Sequence, residues 1–213
     1  MRRFVLTIIS VALTASACSS VTFGTGSRAV APGPAGSAPA SQRSLQSQLL
    51  TLHDMPSGWQ VTDSNSSASD APACLQRARA SLPALGDTTA GFSAAAGIPA
   101  LFELLGQFGT PANVRVAFGE VQVLLDGCSS FDLSSNGVSL HATLTHTTLA
   151  TVGDQSSAWR LIIGTATGSV GSGAFLIARR GTELLIMLYA NLGDSDVREI
   201  LPFARAAIAK MPR

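Results

Sequence analysis

The chain has 213 residues, of which 46% are hydrophobic and 13% are charged, and its formal net charge is +1. A chain of this length and composition can form one domain with a full apolar core. It contains no block of basic residues, so a nucleic acid partner has no electrostatic support. We therefore expect a globular domain that binds no nucleic acid.

The N-terminus has the layout of a secretory signal peptide. Arg2 and Arg3 precede an apolar run over residues 4–13, which is followed by the small residues Ala15-Ser16-Ala17. The apolar run is shorter than the about 20 residues that a helix needs to cross a bilayer. We therefore expect residues 1–17 to be a signal peptide and the mature chain to be extracytoplasmic.

Cys18 follows these small residues and precedes Ser19-Ser20, an arrangement that resembles a bacterial lipobox. In that motif the cysteine is acylated and becomes the mature N-terminus, which predicts an anchor on the outer face of the cytoplasmic membrane. Ala15 stands where the motif prefers leucine, and an ordinary leader peptidase would cut at the same bond. The alternative is therefore a secreted protein without an anchor.

Residues 18–43 are dominated by Gly, Ser, Ala and Pro, which predicts a flexible linker after the lipidated N-terminus. The chain has three cysteines, and Cys74 and Cys128 remain if Cys18 is acylated. An even pair in an oxidising compartment predicts one disulfide between Cys74 and Cys128. The alternative is two separate buried thiols.

Residues 44–213 predict a single α+β domain that begins with short elements. A leucine-rich helical pattern from Leu45 ends at Met55-Pro56, because the residue before proline avoids the helical region. A short strand is predicted at residues 59–62. A helix that contains Cys74 is then predicted to end at Leu82-Pro83.

The middle of the domain predicts a hairpin followed by the clearest helix. Residues 91–95 and 100–108 flank Gly97-Ile98-Pro99, and period-2 alternation in the second arm favours a strand over the alternative helix. Thr110-Pro111 then places a capping residue and a proline at a helix start. The helix is predicted to end at Gly127, next to Cys128.

A series of strands and a last helix are predicted after Cys128. The strand segments are 131–133, 138–149, 159–167, 174–179 and 182–190, with a turn over residues 168–173. The final helix begins at Asp194-Ser195-Asp196. We estimate about six strands and three to four helices for the whole domain. Strand segments 174–178 and 184–189 are apolar on both faces, so both faces should be covered.

Several of these motifs together resemble one group of proteins. The acylated cysteine, the linker and a cysteine in each of two helices resemble actinobacterial, especially mycobacterial, lipoproteins related to the extracellular sensor domain of a receptor-type Ser/Thr kinase. The resemblance covers about residues 45–211 and includes three short motifs: Met55-Pro56-Ser57-Gly58-Trp59, Gly153-Asp154, and Arg179-Arg180-Gly181-Thr182. It implies a curved antiparallel sheet packed with helices, and a ligand cleft. That sensor domain has two disulfides, whereas this chain can form only one.

No arrangement of residues in the sequence indicates catalysis. His141 and His146 lie five residues apart on a predicted strand and therefore point to opposite faces, and His53-Asp54 does not have the spacing of metal ligands. Phosphate-binding glycine motifs and paired carboxylates for acid–base chemistry are also missing. We therefore expect no enzyme activity, no cofactor and no metal site.

Aromatic side chains are the remaining candidates for a site. Trp59, Phe102, Trp159 and Tyr189 are predicted either to pack in the core or to line an apolar cleft. The sequence therefore predicts a cell-envelope lipoprotein whose sensor-like domain binds a hydrophobic small molecule or an envelope protein without catalysis. The alternative is a lipid carrier or lipid chaperone with an apolar cavity.

Overall fold

A computed structural model describes residues 44–62, 77, 84–95, 97–135, 138–165 and 168–212, with only the backbone described at 133–135 and 138. Eight antiparallel strands form one sheet in the order β1-β2-β3-β8-β7-β6-β5-β4. The strands are β1 (Trp59–Thr62), β2 (Gly86–Ala94), β3 (Ala100–Gln107), β4 (Ser130–Ser135), β5 (Val138–Thr147), β6 (Gln155–Thr165), β7 (Gly168–Arg180) and β8 (Glu183–Leu192).

The helices of the described residues lie before, within and after the run of strands. They are the 3-10 helix η1 (Leu52–Asp54), α1 (Pro111–Asp126), the 3-10 helix η2 (Val197–Ile200) and α2 (Leu201–Lys210). Residues 44–46 and 77 are also helical. The Thr110 side chain accepts a hydrogen bond from the Asn113 amide at 3.2 Å, so the predicted start of α1 is confirmed. Asp196 caps η2, and Pro202 lies in the first turn of α2, where its missing N–H is not needed.

The predicted count of about six strands is wrong, because the sheet has eight. Two of the eight, β1 and β4, are short edge strands of four and six residues. Both had been predicted as strand segments, at residues 59–62 and 131–133, so the local pattern marked them and the estimate for the whole domain was too low. The turn predicted over residues 168–173 is also wrong, since this segment is the start of β7.

Only one cysteine of the disulfide that we predicted lies among the described residues. Cys128 is buried just beyond the end of α1, and it is disulfide-bonded. Cys74, its predicted helix and Cys18 lie outside the described residues. The pairing of Cys128 with Cys74 therefore stays a prediction.

The central strands are covered on both faces, as their apolar sequences predicted. One face, called the α1 face below, packs against Val114, Phe118 and Val121 of α1. The other, called the α2 face, packs against α2 and against residues 44–55. Because successive strand residues point to opposite faces, each strand contributes to both cores. The strand side chains of the α1 face include Leu144, Trp159, Leu161, Phe175, Ile177 and Leu184, and those of the α2 face include Leu101, Leu105, Leu176, Leu185 and Met187.

Candidate ligand-binding surface

Three aromatic side chains form a group on the α2 face near the ends of β1 and β8. The Trp59 ring lies 5.6 Å from that of Phe203, and Phe203 stacks on Tyr189 with ring centroids 6.1 Å apart. Trp59 comes from β1, Tyr189 from β8 and Phe203 from α2, so the pairing of the strands and the docking of α2 create the group. Two of the four predicted cleft residues, Trp59 and Tyr189, are thus brought together.

The base of this aromatic group is held by hydrogen bonds. The Tyr189 hydroxyl donates to Glu199 Oε2 at 2.6 Å, and the Asn191 side-chain amide donates to the Tyr189 oxygen at 3.5 Å. Burial, with a further contribution from the Glu199 carboxylate, raises the pKa of Tyr189 well above its ordinary value. The hydroxyl therefore keeps its proton at any physiological pH, and the bond to Glu199 fixes the orientation of the ring.

Trp59 is the member of the group that solvent can reach. Its side chain is half-buried, whereas Tyr189 and Phe203 are buried. Val61, on the same face of β1, is 64% exposed, and Ile98, in the turn between β2 and β3, is 38% exposed. Large apolar side chains are therefore exposed on the strand and the turn next to an accessible indole, a composition typical of ligand and partner surfaces.

The other two predicted cleft residues lie on the α1 face. Trp159 is 1% exposed, packs edge-on against Phe175 and His146, and donates from Nε1 to Asp126 Oδ1 at 2.8 Å. Its contacts are those of a core residue that satisfies its one polar atom. Phe102 of β3 is half-buried and lies opposite Leu188 in the register of the sheet. Trp159 and Phe102 therefore do not join the group around Trp59 and Tyr189.

A buried carboxyl lies on the α2 face beneath residues 44–55. Glu103 of β3 is 0% exposed, and its Oε2 accepts a hydrogen bond from the Leu50 amide at 2.9 Å. Burial raises the pKa of Glu103 to about 7, against smaller lowering effects of the Leu50 amide and the Lys210 charge. Its alternation with Phe102 and Leu104 in the sequence is also typical of a position that faces solvent. Glu103 is buried instead because the segment from Leu45 to Met55 covers this face of β3.

A second buried carboxyl, Glu183, lies at the start of β8 on the same face. The Gln48 side chain forms a hydrogen bond to it, but burial dominates and raises its pKa. The Glu103 and Glu183 side chains each have one buried oxygen for which the described residues provide no hydrogen-bond partner. A carboxyl in this situation favours its neutral form, since an unpaired buried charge is costly.

One lysine links the end of α2 to the covering segment. Lys210 Nζ donates to the Leu49 carbonyl at 3.0 Å and to Asp54 Oδ2 at 2.5 Å. Burial alone would raise the pKa of Asp54, but the hydrogen bonds from Lys210 and Thr51 outweigh it and lower the pKa. These groups were not predicted from the sequence, in which the only signal was a charged residue, Glu103, inside an otherwise apolar strand.

The α2 face beyond β7 is polar. On β4 and β5, Asp132 Oδ1 lies 2.9 Å from His141 Nδ1, and both side chains are exposed. Arg160 of β6 pairs with Asp194, which follows β8. His146 lies on the α1 face beside Ser157, so the two strand histidines point to opposite faces as predicted.

Two features are absent from the described residues. No three or more His, Cys, Asp or Glu side chains in the described ranges are placed to share a metal ion. No helix within the part of the chain that the structure describes is both long and apolar enough to cross a membrane.

The architecture is similar to that of a mycobacterial extracellular domain. The extracellular domain of PknH from Mycobacterium tuberculosis superposes with a TM-score of 0.58 at 9% identity, over 82% of this chain and 98% of that chain. The chain shares its fold with that domain. The resemblance predicted from the sequence is thus confirmed for the fold, while the lipoprotein assignment stays a prediction.

A second mycobacterial structure is less similar to this chain. An uncharacterised protein of Mycobacterium smegmatis, the Rv0999 ortholog, aligns at 16% identity with a TM-score of 0.33, over 72% of this chain and 78% of that chain. No protein-family model and no curated protein matches the chain.

Proposed function

We propose that this chain is an extracytoplasmic, sensor-like domain that binds a hydrophobic ligand or an envelope protein without catalysis. The observation that carries the proposal is the accessible indole of Trp59, which rests on the buried Phe203–Tyr189 stack. A rigid aromatic base with one exposed ring offers apolar contact area without the cost of ordering it on binding. The fold shared with the PknH extracellular domain supports a location outside the cytoplasm.

Tryptophan fluorescence tests where an apolar ligand binds, because the two tryptophans lie on opposite faces of the sheet. We expect oleate at micromolar concentration to change the emission of the wild-type protein. Trp59→Phe should abolish the change, since the half-buried indole is the reporter. Trp159→Phe is the matched control and should retain it, since Trp159 is enclosed by α1 and the sheet. A response that disappears with Trp159→Phe and persists in Trp59→Phe would contradict the proposed site.

The location is proposed separately and rests on the sequence of the leader. We propose that Cys18 is acylated and holds the domain at the outer face of the cytoplasmic membrane. Cys18→Ser should then move the protein from the membrane fraction to the medium without altering its circular dichroism spectrum, because the linker separates Cys18 from the domain. A Cys18→Ser protein that stays with washed membranes would show that the anchor lies elsewhere.

A further inference from the structure

Residues 44–55, called the strap below, cover part of the α2 face without pairing with the sheet. Leu45, Leu49, Leu50 and Met55 of the strap are buried among side chains of the sheet and α2. Apart from the helical residues 44–46 and η1, the strap has little regular structure. Its attachment therefore depends on side-chain burial and on a few polar contacts, and not on a β-ladder.

Those polar contacts come from three separate elements. Glu103 of β3 accepts from the Leu50 amide, and Glu183 of β8 is bonded by the Gln48 side chain. Lys210 at the end of α2 donates to the Leu49 carbonyl and to Asp54. Two of the three groups are buried carboxyls, and each would lose a hydrogen-bond donor if the strap detached.

We propose that the strap is a pH-dependent cover, docked while Glu103 is protonated and released more often once Glu103 ionises. Docking buries the carboxyl, and detachment returns it to water, so the two states differ in proton affinity. The geometry that couples them is the complete burial of the Glu103 carboxyl, which lies against the Leu50 amide of the strap and has no exposed surface.

The direction of the dependence follows from the two protonation equilibria. Burial raises the pKa of Glu103 from an ordinary 4.5 to about 7 in the docked state. Glu103 therefore loses its proton at a lower pH when the strap is detached than when it is docked. The docked state is favoured most below about pH 4.5, and this advantage is lost as the pH rises through about 7. If detachment fully rehydrates Glu103, the opening constant of the strap rises about tenfold between pH 6 and pH 8.

Other charged groups near Glu103 do not reverse this direction. Glu183 lies on the same face, and its pKa is raised by burial, so its ionisation also favours release. Asp54 has a lowered pKa and stays ionised throughout this range, paired with Lys210. Arg180 of β7, beside Glu183 in the register, donates to the Ile208 carbonyl of α2. His53 of the strap and Arg205 of α2 are exposed.

Release of the strap would change the surface of the domain. The side chains that the strap helps to cover include Leu101, Leu105, Leu185 and Met187, which form an apolar strip on β3 and β8. The strap also directly follows the predicted linker, residues 18–43. Detachment would therefore both expose apolar surface and lengthen the predicted connection to the membrane.

Amide hydrogen exchange of the mature chain measures the opening directly. We expect exchange of the Leu50 amide, corrected for the intrinsic pH dependence of exchange, to speed up about tenfold from pH 6 to pH 8. Glu103→Gln keeps the shape and the acceptor but cannot ionise, so its corrected rate should change clearly less than that of the wild-type protein over this range, and only through Glu183. Asp54→Asn is the matched control and should raise the rate at every pH while keeping the pH dependence.

Three results would contradict the proposal that the strap is released when Glu103 ionises. A corrected rate of the wild-type Leu50 amide that is constant from pH 6 to pH 8 would show that strap docking and Glu103 ionisation are independent. An equal tenfold rise in wild type and in Glu103→Gln would assign the dependence to another group. If Glu103→Gln does not fold, amides of β6 and β7 in the wild-type protein serve as the reference. A rise in those amides equal to that of Leu50 would mean global unfolding instead of strap release.

Discussion

The two faces of the sheet are covered in different ways. On the α1 face, one regular helix of 16 residues packs apolar side chains against apolar strand residues, and the indole of Trp159 meets its only polar need at Asp126. On the α2 face, a shorter helix and an irregular strap enclose two carboxyls, Glu103 and Glu183, together with a lysine bond to the strap.

This difference separates a permanent cover from one that can respond to conditions. The contact with α1 is made by apolar side chains, and the burial of apolar area does not itself involve a proton. On the α2 face, the buried carboxyls Glu103 and Glu183 have raised pKa values, so their ionisation changes the free energy of the docked cover. The responsive elements also adjoin the aromatic group of Trp59, since Phe203 belongs to α2. We expect substitutions on the two faces to differ both in how much they lower the free energy of unfolding and in how that loss depends on pH.

The largest effect is expected at the centre of the α1 face. Trp159→Ala should lower the free energy of unfolding by about 3–5 kcal/mol, because it leaves a large cavity and removes the donor to Asp126. Trp59→Ala, on the α2 face, should cost only about 1–2 kcal/mol, since its ring is half-buried. Denaturant unfolding at one pH measures both. Equal losses would contradict the contrast between an enclosed and an accessible indole.

An intermediate effect is expected for the polar support of the aromatic group. Tyr189→Phe should lower the free energy of unfolding by about 1 kcal/mol, because it removes the hydrogen bond to Glu199 while keeping the ring on Phe203. Glu199→Gln leaves one oxygen for two donors, the Tyr189 hydroxyl and the Asp196 amide, and should cost at least as much. Thermal unfolding of the two variants compares them, and a smaller loss in Glu199→Gln would show that the bond from the Asp196 amide contributes little.

The smallest effect is expected at the polar end of the α2 face. Asp194→Asn should change the free energy of unfolding by less than about 0.5 kcal/mol, because the pair with Arg160 is largely exposed to solvent and salt. The measurement is denaturant unfolding at low and at high salt. A loss above about 1 kcal/mol that disappears in salt would show that this end of the face depends on the ion pair.

Features that depend on neighbouring residues were predicted well from the sequence. The cap and proline at Thr110-Pro111, with an apolar stripe at helical spacing, correctly placed α1. Alternation and turn residues located the hairpin of β2 and β3, and glycine marked the turn between β7 and β8 at Gly181. These signals are carried by contacts within a few residues, and the same backbone preferences act in any tertiary setting.

Features that depend on distant residues were decided only by the tertiary structure. The sequence did not indicate that β3 pairs with β8, that Glu103 is buried, or that Trp59 and Trp159 lie on opposite faces. The bond from Leu50 to Glu103 spans 53 positions and that from Lys210 to Leu49 spans 161. A strand residue has the same local pattern whether its face meets water or a strap. Its burial, and with it the pKa of Glu103, is therefore determined by chain segments that no local pattern identifies.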